Sequence, residues 1–317
     1  MGAQSVKAIE DVDFLAFVAQ QEQQYLVGLD ADRDGIAARF ATGVTHYGDT
    51  LPWDKTHEKF RLRPAEVTLW CGINGHGKSL VSSHILAHLL DQGHRCVIAS
   101  MEMSIEATGH RLIRQILGSG SPREDVIHET IDWCCDNRLW VYDQLDTVAS
   151  DRILGMAIYA MSELGIKHVV IDSLMKCGIG PEDYEKQSAF IDRLCWAAKT
   201  YHGHIHLIHH VRKGEDEFKV PNKFDVKGSS AITDMVDNVV IVWRNKAKER
   251  RAEQGKATPE DHLVPDTVLN VEKQRHGEWE GGINLYFHLD SNQYLSGPDR
   301  KPRWYGPAAE KIRGVTH

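Results

Sequence analysis

The sequence predicts an α/β fold in which helices cover both faces of a twisted, mostly parallel sheet. From Glu66 onward, short apolar runs alternate with amphipathic helical stretches, a pattern typical of β-α-β units. A glycine-rich string lies between the first run and the first helix, and the last apolar runs are separated by short turns. The 317 residues suit one large core with flanking segments better than two independent domains.

Six apolar runs predict the parallel strands, and helical periodicity between them predicts the covering helices. The strands are expected at residues 67–71, 96–100, 139–142, 168–171, 205–209 and 239–243, and the helices at 79–90, 148–164 and 185–201. Three further runs follow closely at 268–273, 283–289 and 293–295. Their close spacing predicts antiparallel hairpins at the C-terminal edge of the sheet. The charge-rich stretch 246–265 is expected to be an exposed loop.

Segments of different character flank this core. Residues 1–60 are polar and irregular, and they are expected to form an N-terminal arm or linker with one helix near residues 11–25. Residues 297–317 are expected to form a basic C-terminal tail. The folded domain is therefore expected to span residues 61–296.

Composition limits the classes of protein to consider. The formal net charge of −8 excludes a generally basic surface, so any contact with nucleic acid must come from a local patch. The six cysteines form no CxxC pair, which favours a reducing cytoplasm. No stretch approaches the roughly 18 apolar residues of a membrane span, and residues 1–10 lack the apolar core of a secretory signal. A cytoplasmic protein without membrane contact is expected.

The string GINGHGKS, residues 72–79, matches the P-loop pattern. It follows the predicted strand 67–71 and precedes the predicted helix, as a P-loop must. Its glycines would turn backbone N–H groups towards the phosphates, Lys78 would neutralise them, and Ser79 would bind Mg²⁺. The expected nucleotide-binding residues are Gly72, Asn74, Gly75, His76, Gly77, Lys78, Ser79 and Leu80. The alternative is a glycine-rich turn that carries a lysine by chance.

Two carboxylates at strand ends are candidates for the chemistry of this site. Asp172 ends the run HVVID and is expected to bind Mg²⁺ together with Ser79. Because Ser173 follows it instead of glutamate, the general base must lie elsewhere. Glu102, just past the strand 96–100, would lie at the carboxyl edge of the sheet, where open α/β sheets bind ligands. The alternatives are a strand-terminating aspartate that begins a turn and a surface glutamate.

Six segments in order carry a family resemblance: GINGHGKS, SMEMS, VVIDS, LIHHVRK, DVKGSSAITDMVDNVVIVWRNK and VEKQRHGEWEG. Together, over about residues 60–296, they resemble the DnaB-type replicative helicases, which include phage primase-helicases and mitochondrial Twinkle. The resemblance implies a RecA-like ATPase core, with Mg²⁺ and ATP, or another NTP or dNTP, as cofactors. It also implies translocation along single-stranded DNA from 5′ to 3′ as a ring, expected to be a hexamer, in a cytoplasm that a phage-encoded protein would share with its host.

The resemblance assigns roles to further residues. Glu102 matches the catalytic glutamate, and His210 matches the residue that senses the γ-phosphate, with His209 as second choice. Lys273 and Arg275 match the two fingers that reach the nucleotide of a neighbouring subunit. A guanidinium suits the charge spread over a transferring phosphoryl group, so Arg275 is expected to be the principal finger. The alternatives are a histidine that only hydrogen-bonds at a strand end, and two solvated charges on an edge strand.

The expected DNA contacts lie in residues 211–230, where basic and acidic side chains nearly balance. The assignment therefore rests on the family's position for its central DNA loop and on a small-residue helix start, whose N–H groups suit a phosphate. The expected DNA-binding residues are Lys213, Lys227, Gly228 and Ser229. The alternative is a loop that merely caps the following helix.

The resemblance also bears on partners. The segment before residue 60 is too short for a primase or zinc module, so a separate primase is expected, with a polymerase or loader as a possible partner. The basic tail departs from relatives that end in an acidic partner-binding tail. The helix near Phe14 is expected to pack either on an adjacent subunit or on its own core.

Two other classes of function compete with a helicase. One is a RecA/RadA-like recombinase or regulatory ATPase, which a strand-exchange assay separates from an unwinding assay. The other is a nucleotide-gated assembly factor or loader that scarcely hydrolyses ATP. Glu102 and Arg275 argue against the latter, and ATPase activity with and without single-stranded DNA distinguishes it.

Overall fold

A computed structural model describes residues 29–212, 218–228, 230–307 and 309. The helix expected near residues 11–25, together with Lys213 and Ser229, lies outside these described residues. Within them, no helix is both long and apolar enough to cross a bilayer.

The core of the protein is one nine-stranded sheet with the order β3-β2-β4-β5-β1-β6-β7-β8-β9. Its strands are β1 (Glu66–Cys71), β2 (Cys96–Ser100), β3 (Leu139–Tyr142), β4 (His168–Asp172), β5 (His204–Ile208), β6 (Asn238–Arg244), β7 (Thr267–Gln274), β8 (Gly281–His288) and β9 (Gln293–Leu295). Strands β1 to β6 pair in parallel, and β6 to β9 pair antiparallel in sequence order. The predicted α/β sheet with antiparallel strands at its C-terminal edge is confirmed.

Eight α-helices accompany the sheet in the described part of the chain. They are α1 (Arg33–His46), α2 (Lys78–Asp91), α3 (Ile105–Leu117), α4 (Glu124–Cys135), α5 (Ser150–Ser162), α6 (Tyr184–Tyr201), α7 (Ser230–Met235) and α8 (Lys246–Glu253). Helices α2, α5 and α6 match the predicted helices within two residues at each end. Helices α1, α3 and α4 were not predicted as elements, whereas α7 follows the helix start that was expected at residues 227–229.

The prediction of an exposed loop over residues 246–265 was wrong in conformation. The stretch forms helix α8 and a 3₁₀ turn at Pro259–Leu263, and neither element has a buried residue. Helix α8 is capped at its N-terminus by Asn245, whose side chain accepts a hydrogen bond from the N–H of Lys248. An ion pair between Lys246 and Glu249 bridges the first turn. The N-cap and this spacing of charges stabilise a helix even without an apolar face.

Each face of the sheet buries its own apolar layer. Alternation along β1 sends Val67 and Leu69 into one layer and Trp70 into the other. The second layer also receives Leu51 and Trp53, which precede residue 61, and the indole of Trp53 donates a hydrogen bond to the carbonyl of Tyr294 at 2.6 Å. Tyr305, beyond residue 296, lies in the same layer. Apolar packing on the sheet therefore continues on both sides of 61–296.

The direction of the strands sets the location of the site residues. Because β1 to β6 are parallel, the loops that follow β1, β2, β4 and β5 all leave the sheet at its carboxyl edge. Strand β7 is antiparallel to β6, so it starts at the carboxyl edge and ends at the opposite, amino edge. Residues that follow β7 are therefore held at the far edge from residues that follow β1.

Candidate nucleotide site

The P-loop turns from the end of β1 into helix α2, and its glycines are required by its shape. Gly75 and Gly77 have φ of +78° and +88°, values that favour glycine. A Cβ on Gly77 would lie 2.4 Å from the hydroxyl oxygen of Tyr294. A Cβ on Gly72 would lie 2.3 Å from the carbonyl oxygen of Val242. The loop is therefore packed against β6 and β9 too closely for larger residues.

Lys78 is the first residue of α2 and points back into the loop. Its Nζ donates hydrogen bonds to the carbonyl oxygens of Gly72 and Ile73, both at 3.1 Å. Burial lowers the pKa of Lys78, and the negative charges of Asp172 and Glu102 partly oppose that shift. The ammonium is therefore held in the loop and close enough to both carboxylates to interact with their charges.

The remaining P-loop residues either fix the loop or flank it. His76 is buried, and its Nδ1 accepts a hydrogen bond from the backbone N–H of Arg244 at 3.0 Å, which ties the loop to the end of β6. Asn74 is exposed at the tip of the loop, and Leu80 is half-buried against the second apolar layer.

Ser79 and Asp172 form the pair expected to hold a metal ion. The Asp172 side chain, at the end of β4, is hydrogen-bonded to that of Ser79. Burial raises the pKa of Asp172, as does the charge of Glu102, while the Ser79 bond and the charges of Arg111 and Lys78 lower it. A hydroxyl and a carboxylate in contact are the hard oxygen donors that Mg²⁺ prefers, so these residues fit that ion.

Glu102 lies beside this pair. Strands β2 and β4 are neighbours, with Ser100 opposite Asp172, so the residues that follow them emerge together. The hydroxyl of Ser173 donates a hydrogen bond to Oε1 of Glu102 at 3.1 Å, and the peptide bond before Ser173 is cis. The Glu102 side chain is exposed at the carboxyl edge. Glu102, Asp172, Ser79 and Lys78 thus form one group, as a nucleotide-hydrolysing site requires.

His209 and His210 follow β5 and differ in their surroundings. His209 is buried, and its Nε2 lies 2.7 Å from the carbonyl oxygen of Lys227. His210 is half-buried, and burial together with the charges of Lys78 and Lys227 lowers its pKa to about 4. His210 is therefore a neutral hydrogen-bonding group near Lys78, whereas His209 is occupied with a backbone contact.

The expected DNA loop is tied to the same strand end. The N–H of Lys227 donates to the carbonyl of His210 at 3.0 Å, and Arg212 Nη2 donates to the carbonyl of Gly228 at 3.4 Å. Gly228 has φ of +96°, and a Cβ there would lie 2.4 Å from Oε1 of Gln187. Lys227 is half-buried. Two of the four expected DNA contacts, Lys227 and Gly228, are thus connected through the backbone to the sensor position.

Lys273 and Arg275 are not brought to the P-loop of their own chain. Lys273 Nζ donates to the carbonyl oxygens of Thr233, Asp234 and Val236 at 2.7 to 2.8 Å. Arg275 Nη2 donates to the carbonyl oxygen of Asp234 at 3.0 Å. Both side chains therefore cap the C-terminal end of helix α7, where cations are favoured.

The sheet separates these two cations from their own P-loop. Strand β6 has seven residues, and its last residue, Arg244, bonds to His76 of the P-loop. Its first residue, Asn238, pairs with Gln274, between the two cations. At about 3.3 Å per residue, the separation along β6 is roughly 20 Å. Arg275 therefore lies at the amino edge, far from its own nucleotide site.

Three residues near the P-loop were not anticipated. Arg111 of α3 is half-buried and close enough to Asp172 for its charge to lower the pKa of that carboxyl. Tyr294 touches Gly77, and burial raises the pKa of its hydroxyl to about 12. Arg244 ends β6 beside the loop. Arg244 directly follows a predicted strand, so its position at a strand end could have identified it. The positions of Arg111 and Tyr294 beside the P-loop depend on long-range packing.

Comparison with known proteins finds similar sequences and folds. Residues 59–216 match the AAA domain family. The chloroplastic/mitochondrial Twinkle homolog protein of Arabidopsis thaliana is 22% identical over 218 residues, an alignment that covers 63% of this chain and 31% of that protein. In sequence, the chain is therefore similar to the AAA domain family and to this Twinkle homolog. It spans about a third of the length of this curated relative.

Two solved structures share the fold of this chain. One is an isolated ATPase domain, which superposes with a TM-score of 0.67 at 14% identity, covering 84% of this chain and 98% of that one. The other is a DnaB-like replicative helicase, described with its interactions with primase. It superposes with a TM-score of 0.64 at 14% identity, covering 89% of this chain and 70% of that one. The predicted RecA-like core and the DnaB-type resemblance are confirmed.

Proposed function

We propose that this chain is the motor of a DNA helicase that hydrolyses ATP, or a related NTP or dNTP, to move along single-stranded DNA. The observation that carries the proposal is the division of one reaction site between the two edges of the sheet. Lys78, Ser79, Asp172 and Glu102 meet at the carboxyl edge, while Arg275 and Lys273 are held at the amino edge. A complete site then requires a second subunit.

In the proposed reaction each residue of the carboxyl edge has one task. The N–H groups of the P-loop and Lys78 hold the phosphates, and Ser79 and Asp172 would hold Mg²⁺, which supplies charge neutralisation when bound. Glu102 accepts the proton of the attacking water. His210 hydrogen-bonds near the γ-phosphate as a neutral imidazole, consistent with its low pKa.

The amino edge of one subunit is proposed to complete the site of its neighbour. Arg275 would place its guanidinium against the phosphoryl group in transfer, with Lys273 beside it. Such a contact, repeated from subunit to subunit, is heterologous and closes into a ring when the rotation permits. A hexameric ring is the assembly that the DnaB-type resemblance implies.

The DNA contact is proposed at the loop of Lys227 and Gly228, together with Lys213 and Ser229. The N–H of Lys227 is bonded to the carbonyl of His210, so a movement of the sensor position changes the position of the loop. The contact would be with phosphates and independent of sequence. In this way hydrolysis at one edge would be coupled to movement along the strand, with 5′ to 3′ polarity.

Unwinding of a forked duplex tests the proposal. A duplex that carries a single-stranded tail only at a 5′ end should be unwound in the presence of Mg²⁺ and ATP. A duplex that carries a tail only at a 3′ end should not. Strand exchange without unwinding would favour a recombinase, and nucleotide binding without hydrolysis would favour an assembly factor. A separate primase, and a polymerase or loader, remain the proposed partners.

A further inference from the structure

Three potential ligands converge at the amino edge of the sheet, opposite the P-loop. Asp49 Oδ1 lies 2.8 Å from Nε2 of His94, and Asp49 Oδ2 lies 3.1 Å from Nε2 of His168. One ligand atom from each residue falls within 4.8 Å of the other two. The proposed ATPase reaction uses none of these residues.

The backbone holds each of the three residues in place. Asp49 exchanges two hydrogen bonds with Leu62, at 2.8 and 2.9 Å. The N–H of His94 donates to the carbonyl of Leu89 at 3.1 Å, just before β2. His168 is the first residue of β4, and its side chain is 1% exposed. Only His168 belongs to a strand, but backbone hydrogen bonds also fix Asp49 and His94, so the positions of all three residues are defined.

We propose that Asp49, His94 and His168 form a binding site for a divalent transition-metal cation of the zinc class. Two imidazole nitrogens and one carboxylate oxygen are donors that Zn²⁺ prefers and Mg²⁺ does not. Ligand atoms around tetrahedral Zn²⁺ are about 3.3 Å apart, given bonds of about 2.0–2.1 Å. The 2.8 and 3.1 Å contacts, which involve the two different oxygens of Asp49, lie close to that spacing, and one ligand atom from each residue lies within 4.8 Å of the other two.

The fourth position of this site opens into a cavity. The cavity has a volume of about 660 Å³, and Asp49, His94 and His168 are part of its wall, together with Tyr47 and His202. Water or another small ligand can therefore reach a metal ion held by the three side chains. Three protein ligands with an open fourth position describe an accessible zinc site and not a closed structural one.

Behind the cluster, a chain of hydrogen bonds sets the proton positions. The indole N–H of Trp70 donates to Nδ1 of His206 at 3.2 Å, so neutral His206 carries its proton on Nε2. His206 then donates to Nδ1 of His168 at 3.2 Å, and His168 donates from Nε2 to Asp49. A metal ion on Nε2 of His168 would displace that last proton and reverse the direction of the chain. Nδ1 of His206 would then carry a proton, so the indole N–H of Trp70 would face a donor instead of an acceptor.

This conflict gives the proposal a distinctive consequence. Replacing Trp70 with Phe removes the opposing donor while keeping an aromatic ring. Metal affinity should then rise by about tenfold, the equivalent of one buried hydrogen bond. If Asp49 and the two histidines form only an ion pair, no metal ion binds there, and Trp70→Phe has no metal affinity to increase.

The test uses the full chain, freed of metal by a chelator and titrated with Zn²⁺ by calorimetry. The parent should show a site that His94→Ala and Asp49→Asn each weaken by about 10² or more. His128→Ala is the matched control, because His128 is exposed on α4 and its contact is with Glu124 on the same helix. That control should bind as the parent does.

Co²⁺ provides a second readout, since its visible spectrum distinguishes four-coordinate from six-coordinate ions. The parent should give the intense bands of four-coordinate Co²⁺, and His94→Ala should lose them. Equal Zn²⁺ binding by the parent and His94→Ala, or unchanged affinity in a folded Trp70→Phe, would overturn the site. Because the measurements involve no nucleotide or DNA, their outcome is independent of the proposed motor function.

Discussion

Glu102 is the residue whose chemistry and structural role are easiest to separate. Its side chain is exposed, and its hydrogen bond comes from Ser173, which a glutamine oxygen accepts equally well. Glu102→Gln should therefore keep the fold and the nucleotide affinity. Turnover should fall by about 10² or more, because the amide does not accept a proton from water.

Glu106→Gln is the control for that variant. Glu106 lies in the first turn of α3, four residues further along, and is also exposed. Its replacement removes one nearby negative charge without removing the proposed base. Steady-state ATPase and binding of a fluorescent nucleotide should be measured for both. A Glu102→Gln variant with turnover within a few-fold of the parent would place the base elsewhere.

At the residue scale, the sequence predicted the candidate site residues that lie at the ends of strands. Lys78 was located by the P-loop motif, Asp172 and Glu102 by their positions at strand ends, and His210 by family resemblance. Parallel pairing brings these strand ends to one edge. The sequence did not predict that Arg111 and Tyr294 lie near the P-loop. Tyr294 touches the P-loop through contacts between residues more than 200 positions apart, which no local pattern encodes.

The Lys227 loop is the element through which the proposed DNA contact is tested. Gly228 and the bond from Lys227 to His210 fix the backbone, so the Lys227 side chain can be changed without changing the path of the loop. Lys227→Ala should weaken binding of single-stranded DNA equally for different sequences. The slope of log K against log salt should fall by roughly 0.7 for one lost phosphate contact.

Lys167→Ala is the matched control, since Lys167 is exposed and precedes β4 at the opposite edge of the sheet. It removes the same charge from the protein as a whole. Fluorescence anisotropy with several oligonucleotides over a range of salt concentrations gives both the affinity and the slope. A loss confined to one oligonucleotide sequence, or an equal loss in both variants, would contradict a phosphate contact at Lys227.

At the element scale, some elements have local signals in the sequence, whereas others depend on long-range contacts. Helix α3 carries an N-cap at Ser104 and a left-handed C-cap at Gly118, so local signals for it existed. Segment 49–62 is different, because its burial depends on a bridge between Asp49 and Leu62 and on the contact of Trp53 with Tyr294. A polar, irregular sequence gives no indication of such contacts.

Buried histidines make the stability of the whole molecule depend on pH. Burial lowers the pKa of His84 and His204 to about 3, and that of His88 and His209 to about 4. Histidines in the unfolded chain titrate near 6.5. The unfolded chain therefore binds more protons between about pH 6.5 and 4, and the folded state loses stability as the pH falls through that window. The raised pKa of Asp172 acts in the opposite direction.

Urea unfolding at pH 7 and pH 5 measures this effect. For each such histidine, lowering the pH from 7 to 5 should lower the free energy of unfolding by about 2 kcal/mol. His84→Gln should reduce the difference between the two pH values by about that amount. His128→Gln, an exposed control, should leave it unchanged. Equal stability of the parent at pH 7 and pH 5 would mean that these histidines are protonated in the folded state.

The proposed action of Arg275 on the site of a neighbouring subunit is the feature that would distinguish a ring motor from a solitary ATPase. Arg275→Ala should still bind nucleotide, because its P-loop is intact, while hydrolysis should fall by roughly 10³. Lys78→Ala should lose tight nucleotide binding and so be inactive as well. Since Arg275 also caps α7, the folding of each variant must be checked by thermal unfolding.

Mixing the two inactive variants decides where Arg275 acts. A junction that pairs the intact P-loop of an Arg275→Ala subunit with the intact finger of a Lys78→Ala subunit is a complete site, so ATPase activity should partly return. A finger acting on its own chain gives no complete site in any mixture. Native mass spectrometry should establish that mixed rings are present. Zero activity at every ratio of such rings would contradict action in trans, and full activity of Arg275→Ala alone would remove the residue from the site.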